Sequence, residues 1–273
     1  MQGTNIDDNL NEILGQVAYQ MKETMDAMYS ALQRVAPSDA RDSDSELDEN
    51  AATLTRNFYR LRRLSGNLEE AANLDSPVFA PQQNDDIIGL CAQVTERASH
   101  AAKLLGLTLE FRSERSSHII ALDAVRIERL LLNLLSNSLK FTPSGGKITV
   151  EMSVTSGYVE LKVTDTGCGI TEEQKQHLFD RYRSACIPDG SPRGLGLGLP
   201  ICRKIAADHG GTLVVTSDAG KGTAVAVTLE NKKSAMLRLN TLIMGDYSGG
   251  FNRTLLELSD ALPKQAFLNR MID

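Results

Sequence analysis

Asn133, Asn137 and Lys140 stand at i, i+4 and i+7 of one helical pattern, so they share a face. An amide oxygen is a neutral, hard ligand suited to magnesium, which takes its remaining partners from water and phosphate. A lysine further along the same face supplies a point charge for phosphate oxygens. Downstream, DTGCGI at 165–170 follows an alternating apolar segment. Asp165 at a strand end can accept a hydrogen bond from an exocyclic amino group, and Gly167 and Gly169 permit close backbone approach. GLGLGL at 194–199 opens a further helical pattern. Its Gly194, Gly196 and Gly198 sit where free N–H groups and the helix dipole favour a phosphate. The spacing is neither that of a P-loop nor GxGxxG. Arg181, Arg183 and Arg193 fall in or next to the stretch between the two glycine motifs, which would suit a flap over a bound triphosphate. Each piece also has a plainer reading: the polar side of an amphipathic helix, a tight turn after a strand, or solvated surface arginines.

The elements around these residues read as follows. Residues 8–75 form two long amphipathic helices, with a connector at 37–45 read as a polar turn. One arm carries Leu10, Leu14, Val17, Met21, Thr24, Met28, Ala31 and Val35; the other carries Leu47, Ala51, Leu54, Phe58, Leu61, Ser65, Leu68 and Ala72. Heptad-spaced stripes on both arms predict an antiparallel hairpin. One hairpin cannot readily bury both stripes, so pairing with a second copy into a four-helix bundle is expected. Two prolines at 75–83 mark a linker or short edge strand, and a helix is expected at about 85–106. Strand patterns follow at 107–111 and 118–122, and Asp123 stands as N-cap of a helix running to about Lys140. Two hairpins surround the helix at about 197–208. Strands with helices returning to one face predict an α+β chain whose larger part is a two-layer sandwich. The expected division is 1–75, 76–230 and a tail, 231–273, holding one more strand and a helix.

Bulk properties narrow the function classes. A net charge of −6 argues against nucleic acid or an anionic membrane as partner. No apolar run approaches the roughly 20 residues that span a bilayer, and the start does not read as a signal peptide. Cys91, Cys168, Cys186 and Cys202 are dispersed, as expected of reduced thiols, and the chain is expected to be cytoplasmic.

The order NLLSNSLKFTP, DTGCGI, LFDRYR, GLGLGL and GKGT resembles the ATP-binding catalytic domain of sensor histidine kinases, within the wider family that includes DNA gyrase, MutL and the heat-shock chaperones. The resemblance covers about 76–230. It implies ATP and magnesium as ligands, with Asn137 holding the metal, Asn133 and Lys140 facing the phosphates, and Phe141 beside the nucleotide. It places Asp165 on the adenine amino group, with Gly167 and Gly169 shaping that wall and Thr223 nearby. Gly194, Gly196 and Gly198 would cradle phosphates at a lid hinge, with Arg183 and Arg193 contributing from the lid and Phe179 packing it. Hydrolytic members of the wider family carry a glutamate four residues before the magnesium-binding asparagine; here Asn133 stands there and cannot abstract a proton. The hairpin resembles the family's dimerisation and phosphoacceptor module. Yet the aligned acceptor position is Tyr19, and the first 99 residues contain no histidine. The resemblance therefore implies a homodimer through 8–75 and a protein partner, a response regulator or another kinase. Transfer to such an acceptor and silent ATP sensing both stay open.

Overall fold

A computed structural model describes residues 3–74, 82–182, 195–234, 248 and 250–272, with side chains from residue 13 to residue 271. Two compact units are present: Met1–Ser76 with Leu262–Asp273, and Pro77–Ala261.

In the first unit, α1 (Gly3–Val35) and α3 (Ser45–Ala72) pair as a hairpin. Three contacts fix an antiparallel register: Ser65 Oγ donates to Ala18 O (2.6 Å), Arg62 pairs with Asp26, and the Tyr29 and Phe58 rings stack at 4.3 Å. The buried seam is made of Ala18, Met25, Ala51, Ala52, Thr55 and Phe58, mostly small groups that let the backbones approach. Several residues of the expected apolar stripes face outward instead: Val17, Met28 and Val35 on α1, and Leu54 and Leu61 on α3.

The connector is more ordered than a polar turn. Residues Ser38–Ser43 form α2, and Asp44 caps α3 by accepting from the N–H groups of Glu46 and Leu47. Arg41 explains the difference. Its guanidinium is buried, pairs with Asp48 (2.7 Å) and donates to the carbonyl of Phe267 (2.9 Å), so a distant segment completes this turn. That segment is a 3₁₀ turn, Lys264–Phe267, and a short helix, Asn269–Ile272. Phe267 is fully buried, with its ring 5.5 Å from that of Tyr59, and Asn269 bonds Asp48, Ser38 and Asp42.

The second unit begins with β1 (Gln83–Asp86) and α4 (Ile87–Leu104), then β2 (Thr108–Ser113), β3 (Ile119–Leu122) and α5 (Ala124–Phe141). β4 (Lys147–Val154), β5 (Tyr158–Asp165), α6 (Glu172–Lys175), α7 (Gly198–Asp208), β6 (Leu213–Asp218) and β7 (Gly222–Glu230) complete the sandwich, and α8 (Arg253–Leu258) follows. The main sheet has the order β2-β4-β5-β7-β6, with β2 and β4 parallel and the other pairs antiparallel; β1 and β3 pair separately. Alternation puts Ile148, Val150, Met152, Val159, Leu161 and Val163 on one buried face, against which the helices pack. The chain is thus an α+β protein, with helices preceding a mixed-sheet sandwich.

α5 has a wide apolar face, with Ile127, Leu130, Leu131, Leu132, Leu134 and Leu135 almost fully buried. A face that wide needs more cover than one sheet supplies. α8 supplies it: Leu256 and Leu258 are buried, and α8 lies against α4 and α5. The strand expected within 231–273, at residues 236–244, lies outside the described residues. No helix among the described residues is long and apolar enough to cross a membrane.

Candidate functional site

β5 and β7 pair with Asp165 opposite Thr223. The Asp165 carboxylate is the hub of this end of the site. Its Oδ1 accepts from Gly167 N–H (2.9 Å) and Thr223 N–H (3.2 Å), and its Oδ2 accepts from the Ser138 hydroxyl (3.1 Å). Burial pushes the carboxyl above its ordinary range, and the three hydrogen bonds act against that rise. The glycines are sterically required. A Cβ on Gly167 would stand 2.6 Å from Phe141 O, and one on Gly169 would stand 2.0 Å from Asp218 O at a φ of +68°. Cys168 N–H donates to Phe141 O (3.2 Å), which ties this loop to the end of α5.

Two serines complete the wall, and neither was singled out from the sequence. Ser138 follows Asn137 and turns toward the sheet. Ser217 accepts from Ile170 N–H (2.9 Å) and bonds Thr223 Oγ1 (3.0 Å). Ser138 left one signal, a hydroxyl on the apolar side of a leucine-rich helix; Ser217 left none.

The other end lies where α7 begins. Gly196 takes a φ of +69°, and a Cβ on Gly198 would stand 3.3 Å from Asn133 Oδ1. Asn133 is buried, and its Nδ2 donates to Arg129 O (3.0 Å). Leu197 offers α7 no side-chain cap, so the helix start is not sealed by its own N-cap side chain. Asn133 and Ser138 are five residues apart on α5, about 7.5 Å along the helix axis. Between them Asn137 is partly exposed, as is Phe141 at the end of the helix. Arg183, Arg193 and Gly194 lie outside the described residues. Phe179 is covered by the Arg203 guanidinium, 4.7 Å from the ring centre, which links its segment to α7.

Lys140 has an unexpected partner. Its ammonium lies 3.2 Å from the Asp260 carboxylate, and its side chain is only 5% exposed. The resemblance implies that this lysine faces the phosphates; the structure adds a tail carboxylate beside its ammonium.

His209 is a structural residue. Asp123 N–H donates to its Nε2 (3.0 Å) and its Nδ1–H donates to Ile205 O (2.7 Å), which joins the start of α5 to the end of α7 with a neutral ring. Burial lowers its pKa, partly offset by the Ile205 bond. A depressed pKa means that the folded state resists the proton. The stabilising contribution is therefore complete above the unfolded value of about 6.5 and is lost as pH falls below it. Thermal melts at pH 7.5 and 5.5 are expected to show a clear drop for the wild type and a smaller one for His209→Gln; equal drops would remove His209 from this account. His177 pairs with Asp180 near the surface and His118 bonds Asn231. Cys91 and Cys202 are buried and Cys168 exposed, all as free thiols.

These residues fit a magnesium nucleotide. A buried carboxylate acceptor lies at one end, glycines leave room at both ends, and α5 carries the amide side chains of Asn133 and Asn137. Among the described residues no cluster of three or more His, Cys, Asp or Glu is placed to hold a metal.

Residues 122–233 match the family described as Histidine kinase-, DNA gyrase B-, and HSP90-like ATPase. The adaptive-response sensory kinase SasA of Parasynechococcus marenigrum is 34% identical over 225 residues, which are 80% of this chain and 56% of that protein. The chain spans about half the length of the curated relatives it matches. Among solved structures, full-length ShkA in complex with AMPPNP aligns with a TM-score of 0.65 at 24% identity, over 83% of this chain and 47% of that one. Histidine kinase ThkA in complex with response regulator protein TrrA aligns at 0.54 and 20% identity, over 81% of this chain and 61% of that one. At these identities both structures bear on the fold alone.

Proposed function

From a chain whose residues 122–233 belong to the histidine kinase-, DNA gyrase B- and HSP90-like ATPase family, and whose relatives are sensor histidine kinases, we propose a Mg-ATP-binding signalling protein whose phosphoryl acceptor lies on another protein. The observation that carries the nucleotide reading is the Asp165 hub, whose carboxylate is fixed from α5, from its own loop and from β7. In this reading Asp165 accepts from the adenine amino group, beside Thr223 and the wall formed by Gly167 and Gly169. Phe141 flanks the nucleotide. Asn133, Gly194, Gly196, Gly198 and the start of α7 meet the phosphates, joined by Lys140, Arg183 and Arg193. Asn137 would hold the magnesium, which would supply positive charge against the phosphate oxygens.

Asn133 offers water no general base, so transfer to a protein or plain binding is favoured over hydrolysis. The hairpin offers no histidine, and Tyr19, at the aligned position, is exposed and donates to Glu23 one turn on (3.2 Å). A response regulator or another kinase is the proposed partner, and residues 8–75 the proposed homodimer contact. The histidine-free hairpin also favours a second reading, a dimeric ATP sensor that regulates a partner without transfer.

Incubation with γ-labelled ATP and magnesium separates the two. No label is expected on this chain itself. Label on a co-purifying protein supports transfer in trans, and nucleotide binding without label on any protein supports the sensor. Label on the hairpin would overturn the proposed loss of self-phosphorylation.

A further inference from the structure

The tail carries an acidic residue to a lysine that the nucleotide site would use. Asp260 Oδ2 lies 3.2 Å from Lys140 Nζ, with the carboxylate side chain 22% exposed. The approach is held by more than this one contact. Leu256 and Leu258 are buried, Glu257 pairs with Arg129 (3.4 Å) and Arg253 with Glu128 (2.9 Å), so α8 is anchored to α5 at two further ion pairs. Asn252 caps α8 by accepting from Leu255 N–H (3.1 Å), which fixes where the helix starts. Beyond α8, Asp260 sits on a single turn closed by Ser259 Oγ to Leu256 O and Ala261 N–H to Leu258 O.

We propose that Asp260 is an internal competitor of the nucleotide's phosphates for Lys140, so that nucleotide binding releases the turn at 259–261 while α8 stays in place. The proposal rests on the reading that Lys140 faces the phosphates. Its energetics follow from the two exposures. A buried ammonium is stabilised by an anion beside it, and Asp260 stands 3.2 Å from Lys140 Nζ. Asp260 borders solvent, so its carboxylate regains water at small cost once a phosphate takes its place. The exchange has a place to report. At Leu262, two residues on, the chain joins the helical unit, and there Phe267 and Asn269 are bound to α2 and α3. The turn at 259–261 is thereby covalently continuous with the segment whose Phe267 and Asn269 bond Arg41, Asp48, Ser38 and Asp42.

The test compares Mg-ATP with adenosine, which lacks phosphates, on the full chain by calorimetry. Asp260→Asn is expected to tighten Mg-ATP about tenfold, a usual size for coupling between competing contacts, and to leave adenosine affinity unchanged. In the wild-type chain, hydrogen exchange of the Ala261 amide and its neighbours is expected to rise with Mg-ATP and not with adenosine, a readout that needs no variant. Unchanged or weaker Mg-ATP affinity in Asp260→Asn, or exchange at 259–261 that ignores Mg-ATP, overturns the competition while the site itself stands. Binding of neither ligand to wild type would instead overturn the nucleotide reading, and this inference with it.

Discussion

Asp165→Asn is expected to keep the fold and to weaken Mg-ATP binding about a hundredfold, the sum of a lost hydrogen bond to a charged group and a donor left facing a donor, each worth roughly 1–3 kcal/mol. The side chain has two separable jobs. Inside the protein, Oδ1 accepts from Gly167 and Thr223, and an asparagine Oδ1 does the same. Oδ2 accepts from Ser138, and an asparagine Nδ2 satisfies that contact by donating to a rotated hydroxyl. Toward the ligand the exchange is not neutral, because an amino group on the base then meets N–H in place of carboxylate. Stability moves the other way. The folded-state pKa of Asp165 is raised by burial, so its contribution is present below the unfolded value and is lost as pH rises through the folded one. At pH 7.5 the ionised group is therefore a cost, and the variant is expected to melt no lower than wild type. Calorimetry and a thermal melt on the same sample decide it. Full affinity in a folded Asp165→Asn protein would remove Asp165 from the binding role.

Much of this site is legible in the residues because its parts are local. Asp123 as N-cap, the i, i+4, i+7 set on α5 and the glycines after β5 each follow from a few neighbouring positions, and α5 begins where the cap predicts. Contacts made across the chain leave no such trace. Nothing in the spacing of Arg253, Glu257 and Asp260 says that they meet Glu128, Arg129 and Lys140, since pairing of charges over more than a hundred residues is set by the packing of α8 on α5. The width of the apolar face of α5 was the one hint, because a helix with a single sheet beneath it needs no leucines on its flanks. The connector failed for the same reason: α2 is stabilised by Arg41, whose carbonyl partner lies at Phe267.

The heptad stripes show the same limit in a form that can be measured. Periodicity marks apolar positions without saying which of two partners covers them. The hairpin's own seam takes Ala18, Met25, Ala51 and Phe58, whereas Val17, Met28 and Val35 are 44%, 64% and 76% exposed, and Leu54 and Leu61 57% and 43%. Each such side chain gains about 1.5–3 kcal/mol when fully buried, and a second hairpin would cover the set twice over. Only the exposed fraction of each side chain counts toward this gain, so the set on two hairpins contributes about 9–17 kcal/mol, which offsets the roughly 4–15 kcal/mol cost of association, and a dimer is expected. Sedimentation of the full chain at micromolar concentration should give the dimer mass. Met28→Glu combined with Leu61→Glu should give the monomer, since each would bury an unpaired carboxylate in an apolar contact. Both positions are on the surface of the hairpin unit, so thermal stability of the sandwich and adenosine affinity are expected to stay at wild-type values. A wild-type monomer, or a double variant that still dimerises, would show that these side chains serve another partner than a second copy.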